Sequence, residues 1–301
     1  MLTPRLTFPH SIDNSMLSSF KRCPRHWYWE TLRGQTLKGG NVHLTTGGAF
    51  AAGLEGARRA FYERNLPADD AIAQGLADLI HFYGEADFGP SKKSFDRLFL
   101  ALIDYFIEYP LDQDPFVPRE LIPGKHAIEF TFAIPLPILH PDTGAPLLYT
   151  GRFDALGLWK DVPFGLDDKT ASQLGPQWTR NWTLDSQFSG YCWAAREYGQ
   201  AVAGFLIRGV SFLAGNFGHA QAVIYRPDWM IDRWYETTLY TIKMMLSHFH
   251  ENHFPLVLDK HSCNSYGGCS FHQLCESQHP ERWIPLNYEP RVWDPLAKGA
   301  A

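Results

Sequence analysis

Apolar side chains recur at intervals of three and four residues along the first third of the chain. This spacing is typical of amphipathic helices, whose apolar stripe faces a core. It predicts a short helix capped by Ser15, a second helix from near Gly48, and further helices over 69–83 and 92–109. A proline-rich stretch over 110–123 ends this helical region.

The hydrophobic period changes to two in the middle of the chain. The predicted strands cover 127–134, 147–159, 164–170, 205–213 and 219–225. Residues 160–163 form a predicted hairpin turn, and helices are predicted over 184–198 and 228–250. This order of elements predicts an α/β protein with a mixed central sheet flanked by helices.

Composition narrows the class of protein. The chain has 301 residues, 45% hydrophobic and 20% charged, so it can bury a core and is not disordered. Its net charge of −5 excludes a globally basic nucleic-acid coat but leaves room for a local basic patch. The sequence shows neither the roughly 18 uncharged apolar residues of a membrane helix nor the apolar core of a signal peptide. We therefore expect a soluble, cytoplasmic protein with reduced thiols and no membrane contact.

Two carboxylates and a lysine are predicted to meet where two adjacent strands end. Side chains alternate along a strand, so Asp167 and Lys169 share one face and Asp168 points to the other. The hairpin brings Asp154 near Asp167. Such carboxylates bind Mg²⁺ or Mn²⁺, and a lysine beside them can position water and balance charge during phosphodiester hydrolysis. The alternative is a set of ordinary turn charges, because D-x-K is a short and common string.

Two further features accompany this set. Gln187 and Tyr191 are four residues apart, on one face of the helix that follows. Glu129 is a carboxylate inside the apolar strand AIEFTF. The helix pair could equally be the polar edge of an amphipathic helix, and Glu129 is either a structural acid or another metal contact.

These motifs, in this order, resemble those of the PD-(D/E)XK nucleases, and more narrowly the RecB-like branch. They are Glu129, G-R-F-D with Asp154, D-D-K with Asp167 and Lys169, and Q-x-x-x-Y with Gln187 and Tyr191. The resemblance implies a restriction-endonuclease-like core sheet and metal-dependent DNA cleavage. It also implies that Asp154, Asp167 and the main-chain carbonyl of Asp168 bind the metal. In it, Lys169 is the catalytic lysine, and Glu129, Gln187 and Tyr191 complete the catalytic set.

The early helix departs from the RecB-like pattern at Ala51. In that branch a histidine that contacts the metal stands in a run like G-x-x-x-H, whereas this chain has Ala51 at that position. A metal contact is then missing, or Glu55 or a water replaces it, or the protein is a weakened or inactive form. The retained carboxylates and lysine argue against full loss of activity.

Four of the five cysteines form a candidate metal site drawn from both ends of the chain. They are Cys23 near the start, and Cys263, Cys269 and Cys275 at C-x5-C-x5-C spacing near the end. Three cysteines in a short loop rich in glycine, serine and asparagine favour metal binding over core packing. Thiolates suit iron–sulfur clusters or zinc, and spacing alone does not decide between them.

The resemblance favours a 4Fe–4S cluster at these cysteines. Iron–sulfur members of the RecB-like branch, such as AddB-type nuclease domains and CRISPR-associated adaptation nucleases, place one cysteine before the nuclease core and three after it. Zinc is the alternative, and His261 and His272 are then candidate ligands. Cys192 is interpreted as a small buried side chain of the predicted helix.

Candidate DNA contacts lie in two regions. The N-terminal segment combines cations for phosphates with rings that stack on bases, and its candidates are Lys21, Arg22 and Arg25. The candidates near the predicted strand ends are Arg152, Trp178 and Arg180. The alternative is that the aromatic residues pack around the cysteine site or cover the core.

The leading hypothesis is a metal-dependent DNA exonuclease that acts at single-stranded ends in recombination, repair or processing. No Walker A motif is present, so the protein acts alone or beside a separate helicase or recombination partner. The alternatives are a DNA-end-binding protein on an inactive nuclease scaffold and a zinc-stabilised binding module. We expect one RecB-like domain over 1–301. Its predicted parts are an N-terminal segment (1–45), a helical region (46–125), a catalytic core (126–257) and a C-terminal cluster segment (258–301).

Overall fold

The computed structural model describes residues 6–39, 42–84, 94–213, 215–264, 268–291 and 293. The helices are α1 (Asn14–Arg22), α2 (Pro24–Trp27), α3 (Val42–Tyr62), α4 (Ala68–Tyr83), α5 (Phe95–Glu108), α6 (Pro176–Asn181), α7 (Ser186–Glu197), α8 (Asp228–His250), α9 (Lys260–Asn264), α10 (His272–Glu276) and α11 (Ile284–Asn287). A π-helical turn over Tyr28–Leu32 and a 3₁₀ turn over Pro280–Arg282 accompany them.

The strands follow the predicted order. They are β1 (Ser11–Ile12), β2 (Gln35–Leu37), β3 (Phe116–Pro118), β4 (Glu120–Ile122), β5 (Lys125–His126), β6 (Ile128–Leu139), β7 (Pro146–Trp159), β8 (Val162–Ala171), β9 (Gly204–Phe212), β10 (Phe217–Tyr225) and β11 (Tyr288–Pro290). The chain divides into two compact units. The sheet unit comprises Asn41–Thr131 and Arg152–Ile231, and the terminal unit comprises Met1–Gly40, Phe132–Gly151 and Asp232–Ala301.

Within the sheet unit, β8 lies at the centre of a mixed sheet. It pairs with β7 antiparallel, with Ala155 opposite Leu166, and with β9 parallel, with Leu166 opposite Leu206. Strand β10 pairs antiparallel with β9, and β3 pairs antiparallel with β7. A parallel pair needs a crossover connection, which α6 and α7 supply between β8 and β9. The predicted α/β class, with a mixed central sheet flanked by helices, is confirmed.

Helices α3 and α4 pack closely because small residues face each other at their contact. A side chain on Gly75 would place its Cβ 2.4 Å from the carbonyl oxygen of Gly53 and 2.8 Å from the Cβ of Ala57. Leu98, Leu102 and Phe106 of α5 complete this core with Val210 and Phe212 of β9, and all five are buried. The helical layer therefore covers one side of the strands that carry the candidate site.

Within the terminal unit, the two ends of the chain are paired. Strand β2 runs antiparallel to β11, with Leu37 opposite Tyr288, and β1 runs parallel to the start of β7. Arg33 forms an ion pair with Glu281 at 3.2 Å, and Arg291 forms one with Glu30 at 2.7 Å. The buried side chains between these segments are Trp29, Phe271, Leu274 and Tyr288.

Several element ends differ from the prediction for physical reasons. Helix α1 is capped by Asp13, whose carboxylate accepts from the Met16 N–H at 2.7 Å, and not by Ser15. Helix α3 begins at Val42, before the predicted start near Gly48. Strand β6 continues to Leu139 because its prolines, Pro135 and Pro137, are exposed in a strand that the described pairings join only to β7. No helix among the described residues has the length and apolarity needed to cross a membrane.

Candidate functional site

The antiparallel pairing of β7 with β8 brings the predicted carboxylates together, within the two strands and not at the strand ends that the sequence predicted. Asp154 lies one residue before the paired Ala155, and Asp167 follows the paired Leu166. The main-chain N–H of Asp168 donates to Asp154 Oδ2 at 2.9 Å. The β7–β8 pairing therefore places Asp154 beside Asp167, as the hairpin in the sequence predicted.

Lys169 and Gln187 both contact Asp167. The Lys169 ammonium lies 2.6 Å from Asp167 Oδ2, and the Gln187 side-chain amide donates to Asp167 Oδ1 at 3.1 Å. Gln187 is positioned by the start of α7, where the Asp185 carboxylate caps the helix by accepting from the Gln187 N–H at 2.8 Å. Asp167 thus has an ion pair at one oxygen and a hydrogen bond at the other, and its side chain is only 1% exposed.

Burial and the charges of neighbouring side chains shift the pKa values of Asp154, Asp167 and Lys169. Burial raises the pKa of Asp167 to about 7 against the lowering effect of Lys169, and Asp154 adds to the rise. Burial likewise raises the pKa of Asp154. The pKa of Lys169 lies above its usual range because Asp167 and Asp154 outweigh the effect of burial on the ammonium. Lys169 is therefore a cation at neutral pH, while Asp167 is partly protonated there.

Glu129 is a third buried carboxyl near this pair. Its backbone is left-handed, with φ of 50°, which costs a residue other than glycine about 1 kcal/mol or more. The guanidinium of Arg152 lies 2.7 Å from its carboxylate. Burial raises its pKa well above the usual range, with further contributions from Asp154 and Glu55. Arg152, predicted as a DNA contact, has this carboxylate as its partner.

The donor set fits a hard divalent cation. The buried carboxyls repel one another, and a cation between them would restore their ionised forms. In the part of the chain that the structure describes, no group of three or more His, Cys, Asp or Glu side chains is arranged to hold a metal ion. Mg²⁺ is commonly held by one or two carboxylates, with waters and substrate phosphate completing its shell. Asp154 and Asp167, with a main-chain carbonyl, match that kind of site.

Among the remaining predicted residues of the sheet unit, Tyr191 and Cys192 pack in the core. The Tyr191 ring lies against Phe153 and Phe205, at centroid distances of 5.1 and 5.6 Å, and so seats α7 on the sheet. Trp178 is half-buried over Gly209, whereas Arg180 is exposed on α6. Cys192 is buried, as the sequence suggested, and burial raises its pKa to about 12.

Sequence reasoning missed two residues that hold the side chain of Asp168. Arg58 of α3 forms an ion pair with Asp168 at 2.7 Å, and the Tyr105 hydroxyl of α5 donates to it at 2.6 Å. A signal was present for Arg58, because a charged residue four positions after Leu54 lies on the apolar stripe of its helix.

In the terminal unit, the four predicted cysteines line one cavity of about 130 Å³. They are Cys23, which ends α1, Cys263 of α9, Cys269 in the following loop, and Cys275 of α10. Burial raises the pKa of Cys275 to about 11, and the neighbouring Cys269 adds to the rise. The thiols are therefore close enough to interact electrostatically.

Of the predicted N-terminal DNA contacts, one lies at this cavity. Arg22 lines it and contacts His26, and the Arg25 guanidinium lies 5.5 Å from the centre of the Tyr28 ring. Lys21 is exposed on α1. The aromatic residues Trp27 and Trp29 are buried, which favours the alternative that the rings of this segment pack around the cysteine site.

No protein-family model and no curated protein matches the sequence. Among solved structures, the chain is similar to one named "Putative exonuclease" from Eubacterium rectale, with 12% identity, a TM-score of 0.48, and coverage of 83% of this chain and 86% of that one. It is also similar to SSO0001, with 14% identity, a TM-score of 0.33, and coverage of 80% and 79%. At TM-scores this low neither similarity bears on function, which we infer from the motifs and the geometry above.

Proposed function

We propose that the protein is a Mg²⁺- or Mn²⁺-dependent nuclease of the PD-(D/E)XK superfamily, RecB-like branch, that hydrolyses phosphodiester bonds in DNA. The observation that carries this proposal is the buried contact between Asp167 and Lys169 at 2.6 Å, beside Asp154. A structural ion pair would not need a second carboxyl placed against it, since that carboxyl repels the carboxylate of Asp167. Such perturbed carboxyls cluster at functional sites.

Asp154 and Asp167 are the side chains that would hold the divalent ion, together with the main-chain carbonyl of Asp168. When bound, the ion polarises a phosphoryl oxygen and lowers the pKa of a water molecule. Lys169 keeps its proton and offers positive charge to the phosphate as negative charge develops in the transition state. Gln187 fixes the orientation of Asp167 through its hydrogen bond to Oδ1.

We propose single-stranded DNA ends as the substrate and exonucleolytic cleavage as the mode, in recombination, repair or processing. This finer assignment rests on the resemblance of the motifs. Arg180 is the best candidate for a phosphate contact, because it is an exposed cation on α6, which follows β8 directly. A helicase or recombination protein is a compatible partner.

We also propose a 4Fe–4S cluster at the four cysteines of the terminal unit. The four cysteines line one cavity of about 130 Å³. Both a cluster and a zinc ion can be held by four cysteines, so the choice of the cluster rests on the resemblance of the motifs.

The nuclease proposal is tested by the degradation of a labelled single-stranded oligonucleotide with Mn²⁺. We expect Asp167→Asn and Lys169→Met to lower the rate by about 100-fold or more, because each removes a charge that acts in the transition state. Asp161→Asn is the matched control. It changes an exposed aspartate at the turn of the same hairpin, where φ is 67° and asparagine is well tolerated.

Two results would contradict the proposal. One is equal cleavage by the wild type and both site variants, which would indicate a contaminating nuclease. The other is a wild type that binds the oligonucleotide but does not cleave it with Mn²⁺. That second result would favour the alternative of a DNA-end-binding protein on an inactive scaffold.

A further inference from the structure

Asp168 is a buried carboxylate on the reverse face of the strand that carries Asp167 and Lys169. Its side chain is 3% exposed. Arg58 Nη1 lies 2.7 Å from one oxygen, and the Tyr105 hydroxyl donates to the other at 2.6 Å. A buried charge is costly unless it is paired and hydrogen-bonded, and here both conditions are met.

Two further residues extend this contact, and with Arg58 and Tyr105 they form what we call the Asp168 clamp. Arg208 is the partner of Asp168 across the parallel β8–β9 pair. It donates to the Tyr105 hydroxyl at 3.4 Å and to both oxygens of Asp114 at 2.6 Å. Tyr105 also accepts from Arg58 Nη2 at 2.9 Å. The two arginines balance the two aspartates, and the clamp joins α3, α5, β8 and β9 at one point.

The main chain of Asp168 connects the clamp to the opposite face of the strand. Its N–H donates to Asp154 Oδ2 at 2.9 Å, and its carbonyl is a proposed metal ligand. Its neighbours along the strand are Asp167 and Lys169. A displacement of Asp168 would therefore move three of the groups proposed to act in catalysis.

We propose that Arg58 and Tyr105 are positioning residues for the metal site, an inference that rests on the proposed nuclease function. They hold the Asp168 side chain on the reverse face and thereby fix the main-chain N–H and carbonyl that face Asp154 and the metal. Packing alone would not require an aspartate held by Arg58 and Tyr105. Burying an apolar residue at position 168 would cost less free energy than burying a charged one.

The test compares Tyr105→Phe with Tyr62→Phe in the full chain. The Tyr62 hydroxyl donates to the Leu111 carbonyl at 3.3 Å, and its ring lines the same small cavity as Tyr105. Each change removes one hydroxyl from this region, and only the first removes a donor to Asp168. Titration with Mn²⁺, followed by the paramagnetic resonance of the free ion, gives the dissociation constant, and thermal unfolding gives stability.

We expect Tyr105→Phe to raise the Mn²⁺ dissociation constant about 10- to 100-fold, the usual effect of removing an outer partner of a ligand. Tyr62→Phe should leave it unchanged. Arg58→Lys keeps the positive charge but loses the planar guanidinium with its several N–H donors. It should bind Mn²⁺ better than Arg58→Met, which loses both. A role in packing alone would lower the unfolding temperature and leave the dissociation constant of the folded protein as it was.

Each outcome decides between these accounts. If Tyr105→Phe binds Mn²⁺ as tightly as the wild type, the positioning role is overturned and the nuclease proposal stands. If Tyr105→Phe does not fold, equal affinity in Arg58→Met, which removes the ion pair with Asp168, and the wild type overturns it in the same way. If the wild type binds no Mn²⁺, the nuclease proposal fails, and this inference fails with it.

Discussion

Asp167 illustrates how far a single residue can be predicted from the sequence. Strand alternation was enough to place it with Lys169 and opposite Asp168, because that relation is local. The contacts of Asp168 with Arg58 and Tyr105 were not predictable, because they join helices far away in the chain. The sequence thus predicted the residues that face the proposed metal, and the structure added those that hold them from behind.

The raised pKa of Asp167 predicts how the stability of the metal-free protein depends on pH. Its pKa rises from 3.8 to about 7 on folding, so the folded state binds more protons than the unfolded state between these values. The free energy of unfolding therefore falls as pH rises through this window, by up to about 1.4 kcal/mol per pH unit from this group. Asp167→Asn removes the effect.

Urea unfolding without divalent ions, at a series of pH values, checks this prediction. The stability of Asp167→Asn relative to the wild type should increase up to about pH 7 and level off above it. Added Mn²⁺ should stabilise the wild type and not the variant. A stability difference that stays constant across this range would show that burial does not perturb Asp167.

Ala51 provides a second test at the residue scale. It lies one turn before Glu55 on α3, and Glu55 raises the pKa of Glu129, so this face of the helix is directed at the carboxyls. We expect Ala51→His to supply a metal contact and tighten Mn²⁺ binding by about tenfold. Ala52→His is the control, because consecutive residues of α3 point to different sides of the helix. Equal affinity in both variants would indicate that position 51 does not face the metal.

At the scale of elements, periodicity predicted the class and order of most helices and strands. The ends were less predictable, because caps and prolines act through local hydrogen bonds that a period does not reveal. The closeness of α3 to α4 also escaped prediction. It depends on Gly53 and Gly75, which look like weak helix residues in the sequence and allow two backbones to approach in the fold.

This packing predicts opposite effects for two glycine substitutions. Gly75→Ala would place a Cβ 2.4 Å from the Gly53 carbonyl oxygen, so we expect a loss of about 1–3 kcal/mol in the free energy of unfolding. In Gly47→Ala the new Cβ would lie 4.0 Å from Thr170 Oγ1, which is an ordinary contact, and higher helix propensity should add up to about 1 kcal/mol to the free energy of unfolding. Denaturant unfolding measures both. Equal effects would mean that α3 and α4 do not touch at Gly75.

At the scale of the whole molecule, the sequence predicted that both chain ends contribute to one site. The terminal unit agrees, because β2 pairs with β11 and the four cysteines line one cavity. The division into two units was not predictable, since each unit is assembled from segments that are separated along the chain. One RecB-like domain over the full length stays a prediction.

The proposed cluster predicts a specific loss on substitution of its cysteines. Cys23→Ser and Cys275→Ser should each lower the iron content and the absorbance near about 400 nm that iron–sulfur proteins show. Both should also lower the unfolding temperature, because the cluster joins the two ends of the chain. Cys192→Ala, which removes a buried thiol outside the cavity, should leave iron content unchanged. Stoichiometric zinc in place of iron would contradict the cluster assignment.

The central claim is that Asp154 and Asp167 jointly hold a divalent ion beside Lys169. Its most direct test is anomalous diffraction from crystals of the wild-type protein soaked in Mn²⁺. The account predicts a manganese peak at coordination distance from carboxylate oxygens of both Asp154 and Asp167, and no such peak in Asp167→Asn. Manganese bound elsewhere, with these two carboxylates left without it, would contradict the account.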